Sequence, residues 1–321
     1  MKININELLE IFYKSILLRE PDADGIKHHI NDLTSIEKIE AKLYEFLYCD
    51  EFLDVFVKNK MQLNYALFTE KKPNFKSFET QDKFYVELFK CALKPQDNAY
   101  LNVHKRRFYN LNCMLVECLR QIKHPRLLEV GPSIATSVYK SSIGKLNLET
   151  IDRPIQLGGI DENAATKLGS SKHYNVDLNL HTINSSSEPL KNNEYDFILC
   201  TEVLEHLTVF PTEFIKGFMS LLKPSGYLYL TTPNFFSRSN CKLLFKQQNP
   251  QKLYPKSLDN QDAHYHHREY EMKELCKIFE NSGGQIIYSY WSDCWDELNT
   301  EDQIPNCMLS NLVFLIKRAD N

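Results

Sequence analysis

Four short apolar runs, residues 127–130, 148–151, 197–200 and 227–231, are bounded by turn residues and separated by segments long enough for a helix. Strands that alternate with helices have this rhythm, and they pair into a parallel sheet with helices on its faces and ligands at the carboxyl ends of its strands. Residues 285–290 and 312–317 are read as two further strands, following a helix marked by Met272, Leu275, Cys276 and Phe279. No internal repeat is apparent.

The glycines divide the chain. Of 10 in 321 residues, nine lie at or after Gly131, and the first 130 residues contain only Gly25. Helices tolerate that scarcity, whereas tight strand-to-helix turns do not. Residues 1–60 read as a small helical bundle domain, with Ile5, Leu8, Leu9, Phe12 and Ile16 at helical spacing before Pro21 and further apolar positions from Leu43 to Phe56. Residues 61–124 read as a helical connector carrying Phe84, Leu88, Phe89 and Leu111, Leu115, Leu119. Residues 125–321 form the α/β domain. Asp22-x-Asp24-Gly25 lacks the remaining ligands of a calcium loop and is expected to be a helix cap and turn. The basic run His104-Lys105-Arg106-Arg107 is expected to be the solvated face of a helix.

Composition excludes several function classes. The 42 acidic and 38 basic residues leave a formal charge of −4, without the basic excess of nucleic-acid binders. The start, MKININELLEIFYK, breaks its apolar residues with Asn and Glu, and no later run approaches the ~18 apolar residues of a membrane span. A cytoplasmic protein is expected. The 9 cysteines include no C-x-x-C pair and suit reduced thiols better than disulfides or zinc.

The chemistry concentrates in the α/β half. Leu127-Leu128-Glu129-Val130-Gly131-Pro132-Ser133-Ile134-Ala135-Thr136 reads as strand, tight turn and helix start, where small residues admit a ligand to the backbone and helix amides favour negative charge. Asp152 ends the next strand, 21 positions after Gly131, where an acid can accept hydrogen bonds from ribose hydroxyls. Taken singly, such a glycine is equally a simple turn and such an aspartate equally a helix cap. Further on come Asp196-Phe197-Ile198-Leu199-Cys200-Thr201-Glu202-Val203-Leu204-Glu205-His206 and Lys223-Pro224-Ser225-Gly226-Tyr227-Leu228-Tyr229-Leu230-Thr231-Thr232-Pro233-Asn234.

These four ordered motifs resemble class I S-adenosylmethionine-dependent methyltransferases, in particular small-molecule and glycan O-methyltransferases with a Glu-Val-Leu-Glu-His segment. The resemblance implies a Rossmann-like sheet of seven strands, the last antiparallel, with S-adenosyl-L-methionine as cofactor. It places Glu129, Gly131, Ser133 and Ala135 beside the methionine part, Asp152 at the ribose, Asp177 and Leu178 at adenine, and Cys200, Thr201 and Glu202 near the sulfonium. Ser133 and Ala135 stand where the family usually has glycine.

Methyl transfer is an in-line displacement, and positioning alone supplies on the order of 7–11 kcal/mol. Where the acceptor is a hydroxyl, an imidazole titrating near neutrality suits removal of its proton. His206 lies four residues after Glu202, so the two can share one helix face as catalytic candidates, with an orienting role as the alternative. The family places Asn234 and the segment with His264, His267 and Arg268 beside the substrate opening. Three histidines, His264, His266 and His267, invite a metal reading, but no carboxylate or cysteine stands at a recognised spacing and no metal is expected.

Residues 1–60 resemble a helical domain of bacterial surface and glycan-modifying proteins, through Tyr13, Leu18-Arg19-Glu20-Pro21-Asp22, Gly25-Ile26 and Cys49-Asp50-Glu51-Phe52. The reading is therefore O-methylation of a sugar, sugar nucleotide or surface-glycan precursor, with the helical domain as a contact for another protein. Two rivals are a cofactor-free interaction module that has lost catalysis and an NAD-dependent oxidoreductase, which fits Gly131 and Asp152 but not the later motifs.

Overall fold

A computed structural model of the chain describes residues 4–29, 35–49, 51–52, 55–56, 68–73, 81–92, 94–179, 190–251, 265–293 and 306–319. The chain divides into two compact units, residues 1–68 with 236–250 and residues 69–235 with 251–321.

The first unit is helical: α1 Ile5–Ile16, α2 Ala23–His29, α3 Ile36–Tyr48 and, from the returning segment, α9 Arg238–Phe245. Asn4 opens α1 with a capping box, its side chain taking the Asn6 N–H while Glu7 takes the Asn4 N–H. Phe12, Tyr13, Leu17 and Phe46 pack as its core, with Tyr13 edge-on to Phe46. Asp22 Oδ1 accepts the Gly25 N–H at 2.7 Å, the helix cap expected there. A Cβ on Gly25 would lie 2.3 Å from the Tyr13 hydroxyl oxygen, so only glycine lets α2 approach α1 this closely.

The second unit is a seven-stranded sheet of order β3-β2-β1-β4-β5-β7-β6. The strands are β1 Arg126–Val130, β2 Asn147–Asp152, β3 Lys172–Asn175, β4 Tyr195–Thr201, β5 Leu222–Pro233, β6 Gly284–Ser292 and β7 Asn311–Arg318. The first five are parallel and β7 runs antiparallel to both β5 and β6. This is the Rossmann-like arrangement expected of the methyltransferase sheet. Strand order reverses between β1 and β4, which places the crevice for a ligand beyond their carboxyl ends.

Helices α4 Gln81–Phe89 and α5 Pro95–Leu119 precede the sheet, α6 Thr136–Ile143 and α7 Glu162–Lys167 follow β1 and β2, α8 Pro211–Leu221 joins β4 to β5, and α10 Met272–Asn281 precedes β6. One core cluster joins Leu88, Phe108, Leu111 and Leu115 of α4 and α5 to Leu127, Phe197 and Tyr229 of the sheet. Lys71 bridges Ser289 on the β6 edge, so residues just before α4 extend the sheet.

Glu149, in the middle of β2, is buried and accepts from the Tyr174 hydroxyl at 2.9 Å, the Tyr195 hydroxyl at 2.8 Å and the Arg126 guanidinium at 2.7 Å. Burial raises its pKa, but the hydrogen bonds from Arg126, Tyr195 and Tyr174 outweigh it and hold the carboxyl below the ordinary value. None of the described cysteines is in a disulfide. Among the described residues no helix is long and apolar enough to cross a membrane.

Candidate active site

Beyond β1 the chain turns through Gly131, whose φ is +69°. A Cβ there would stand 2.8 Å from Val203 Cγ2, so both the left-handed backbone and the contact with the β4 loop require glycine. The turn then closes on its own side chains. Thr136 Oγ1 accepts the Ser133 N–H at 2.9 Å and Ser133 Oγ accepts the Ala135 N–H at 3.2 Å. Ser133 thus ties the turn that leads into α6, while Ala135 stands at the helix N-cap position without a side-chain cap. Ser133 is half-buried at the surface of the turn, whereas Ala135 is fully enclosed in the core behind it.

Glu129 is 2% exposed, and its Oε2 has no hydrogen-bond partner among the described residues. Burial pushes its carboxyl up to about 8, against a hydrogen bond from Thr136 that favours the charged form. Asp152 ends β2; its two oxygens accept the Arg153 and Ile160 N–H groups at 2.8 and 3.1 Å. Burial raises its pKa and these bonds oppose the rise. Beyond β3, Asp177 turns the chain by accepting the Asn179 N–H at 2.9 Å, and Leu178 is buried. Asn179 in turn accepts the Thr208 N–H at 2.7 Å, tying this loop to the one after β4.

At the end of β4, Cys200 is fully buried, and Thr201 is half-buried. Burial first, then Glu205 and Glu202, push the Cys200 thiol well above its ordinary pKa, so it is protonated and no nucleophile. Glu202 adopts φ +54°, outside the range that non-glycine residues prefer. It is held there by its N–H on Thr231 O at 2.9 Å and by its Oε1, which accepts from the Thr231 hydroxyl at 2.6 Å and from Asn311 Nδ2 at 2.7 Å. Arg107 Nη1 approaches the same oxygen at 3.6 Å.

Arg107 corrects the reading of the basic run as a solvated face. Its side chain is 9% exposed, and it lines a small cavity of mixed character with Asn110, Tyr229, Thr231, Asn311 and Val313. His104, one turn earlier, is buried too. Burial and the neighbouring Arg107 charge push its pKa down to about 3, against ~6.5 in an unfolded chain. Its contribution to stability is therefore complete above about pH 6.5 and is lost progressively as pH falls from there towards 3. His104→Gln should flatten the decline in urea-unfolding free energy between pH 6.5 and 4; an unchanged slope would show that His104 is not a source of the acid sensitivity.

Glu205 and His206 lie in the short 3-10 turn Leu204–His206. Glu205 is 1% exposed; its Oε2 accepts the Thr232 hydroxyl at 3.0 Å and its Oε1 has no hydrogen-bond partner among the described residues. Burial, with the Glu202 charge added, pushes this carboxyl well above its ordinary range. His206 Nδ1 donates to Tyr265 O at 2.7 Å, which leaves the lone pair on Nε2, 3.8 Å from Glu205 Oε1. Burial lowers the His206 pKa while the Tyr265 carbonyl opposes that change. The His267 and Arg268 N–H groups both donate to Glu205 O, at 2.7 and 3.3 Å, and stitch residues 265–268 to this turn.

The remaining candidates divide. His267 and Arg268 are exposed; the His267 ring meets Tyr265 edge-on and Arg268 pairs with Glu274. His264 lies outside the described residues. Asn234 is buried, and both hydrogens of its amide are committed, to Cys307 O at 3.0 Å and Leu309 O at 2.8 Å, so it holds residues 306–310 rather than facing an opening. His266, weighed from the sequence only for a metal reading that was set aside, is the histidine of that segment whose ring reaches His206, with centroids 5.0 Å apart.

Carboxylates therefore stand at the carboxyl ends of β1, β2 and β4 around the strand-order reversal. The family model of a methyltransferase domain matches residues 103–289, more than half of the chain, and the chain belongs to that family. It is an S-adenosylmethionine-dependent methyltransferase, with S-adenosylmethionine as its cofactor. No curated protein sequence matches it. Similar solved structures include an S-adenosylmethionine-dependent methyltransferase from Aquifex aeolicus, 14% identical over 73% of this chain and 98% of that one, with a TM-score of 0.39. Another, from Methanosarcina mazei, is 14% identical over 65% and 98%, with a TM-score of 0.41. A third, from Thermotoga maritima and described as a possible histamine N-methyltransferase, is 16% identical over 74% and 99%, with a TM-score of 0.42.

Proposed function

We propose that this enzyme methylates a hydroxyl oxygen on a sugar, sugar nucleotide or surface-glycan precursor. The observation that carries the reading is the orientation of His206: with Nδ1–H committed to Tyr265 O, its Nε2 lone pair is available beside Glu205 to act on an acceptor O–H. The glycan setting is supported by the N-terminal helices that resemble a domain of glycan-modifying proteins, a domain also suited to contact another protein.

The donor set fits the cofactor. The enclosed Glu129 Oε2, without a partner among the described residues, suits an ammonium group, and the lone pairs that Asp152 retains suit a ribose diol. Gly131 and Ser133 would line the methionine part with Ala135 packed behind them, Asp177 and Leu178 would flank adenine, and Cys200 and Thr201 would line the end of β4. When bound, S-adenosylmethionine supplies a methyl group on a sulfonium, ready for displacement. Glu202 would fix the rim of the site through Thr231 and Asn311, and His206 would take part in removing the acceptor proton. His267 and Arg268, exposed next to this turn, would meet the polar groups of the acceptor.

S-adenosylhomocysteine at a hundredfold excess over its dissociation constant should stabilise the protein by about 2.7 kcal/mol. Asp152→Ala, checked for retained fold by circular dichroism, should remove that gain. Labelled methyl from S-adenosylmethionine should then appear on a member of a sugar-nucleotide and glycan panel and disappear in His206→Ala. Label on amine or carbon acceptors alone would overturn the hydroxyl reading.

A further inference from the structure

We propose that Glu205, His206 and His266 form a binding site for a divalent transition-metal ion of the zinc class, with one coordination position open to the acceptor. One ligand atom from each of the three lies within 4.8 Å of the other two. Each residue is also prepared for that role.

Glu205 supplies a buried carboxylate oxygen, Oε1, that has no hydrogen-bond partner among the described residues, while Oε2 is fixed by Thr232. A buried acceptor left without a donor is costly, and an ion is one of the few groups that satisfies it. His206 commits Nδ1–H to the Tyr265 carbonyl and turns Nε2 to within 3.8 Å of Glu205 Oε1. His266 commits Nδ1 to the Glu269 carboxylate at 2.9 Å, which leaves its own Nε2 lone pair as the ligand. Anchoring of one ring nitrogen by a carbonyl or a carboxylate is the usual support of a metal-bound histidine.

The ligand set narrows the ion. Two imidazoles and one carboxylate suit zinc and its neighbours, whereas magnesium and calcium take oxygen ligands almost throughout. In a tetrahedral site with bonds of ~2.0–2.1 Å the ligands stand about 3.4 Å apart. The present separations, 3.8 Å between His206 Nε2 and Glu205 Oε1 and up to 4.8 Å within the group, are wider, so binding must draw the three ligands together. Three protein ligands leave the fourth position free, the pattern of a catalytic rather than a structural zinc site. A hydroxyl bound there loses its proton to solvent more readily. That use of the ion rests on the O-methylation reading and makes the His206 lone pair act on the acceptor through the metal; binding of the ion does not depend on it.

The spacing of the sequence hides this site. Glu205 and His206 come from the loop after β4 and His266 from a segment sixty residues later, joined by the His267 and Arg268 N–H bonds to Glu205 O and by the His206 Nδ1–H bond to Tyr265 O.

The test is zinc titration of the full-length, chelator-stripped protein in the presence of a competing chelator, with bound metal counted by mass spectrometry. One zinc per chain is expected. His206→Ala and His266→Ala should each weaken binding by at least 100-fold, and Glu269→Gln by 10–100-fold. A retained melting transition with its S-adenosylhomocysteine shift shows that each variant is folded. Absence of zinc uptake by the wild type, or uptake unchanged in folded His206→Ala and His266→Ala, overturns the site. Zinc uptake lost in those variants, together with failure to methylate any hydroxyl, keeps the metal site and removes the O-methylation reading.

Discussion

Glu149→Ala should destabilise the α/β unit by about 3–5 kcal/mol, the usual cost of removing one partner from a buried, hydrogen-bonded charge cluster. Three donors converge on this carboxylate, from Arg126, Tyr174 and Tyr195, and Tyr195 is fully buried. The alanine leaves two phenol hydroxyls and a guanidinium group without their acceptor in the middle of the sheet. Glu149→Gln retains one acceptor oxygen and should cost clearly less. Urea unfolding followed by circular dichroism measures both. A loss below 1 kcal/mol for alanine would mean that water or rearranged side chains replace the carboxylate.

The second large effect is expected at Arg107. Replacing it with methionine keeps much of the side-chain volume but removes the cation 3.6 Å from Glu202, whose backbone is already held at φ +54°. Methyl transfer should fall by about 100-fold, since a small misplacement at the end of β4 suffices for such a loss. Stability should fall by about 1–3 kcal/mol, less than at Glu149 because Glu202 remains 20% exposed. Arg107→Met combined with Glu202→Gln should recover much of the stability, because the amide oxygen can still accept from Thr231 and Asn311 and no unpaired charge remains. A double variant no more stable than Arg107→Met alone would show that Arg107 acts through its packing on α5 and not through Glu202.

Arg107 also illustrates where one-dimensional reading stops. In His104-Lys105-Arg106-Arg107 four consecutive polar residues point around a helix, and charge alone suggests solvent. The actual faces follow from how α5 lies on the sheet: His104 and Arg107, three apart, share the buried side, and the cost of burying Arg107 is offset by Glu202, which is nearly a hundred residues away. Asn234 shows the converse. Its place at the end of β5 suggested a ligand contact, but the tertiary fold brings the carbonyls of Cys307 and Leu309 to its amide.

Strands β1, β2, β4 and β5 were legible because apolar runs of four or five residues bounded by turns obey a local rule, and their parallel pairing followed from the helices between them, whereas β3, Lys172–Asn175, carries no such run. Gly131, Asp152 and the Glu-Val-Leu-Glu-His segment were legible because each sits at the end of a strand, where local chemistry and ligand chemistry coincide. That Ser133 and Ala135 close the first turn by hydrogen bonds and core packing was not, since the pairing with Thr136 depends on the three-dimensional turn. By itself the sequence determined six of the seven strands, the methyltransferase motifs and the glycine-poor helical half, all features written in neighbouring residues. Only the tertiary structure decided that Arg107 meets Glu202 and that His266 meets His206 and Glu205, because those contacts depend on how separate segments pack and which buried polar atoms they must satisfy.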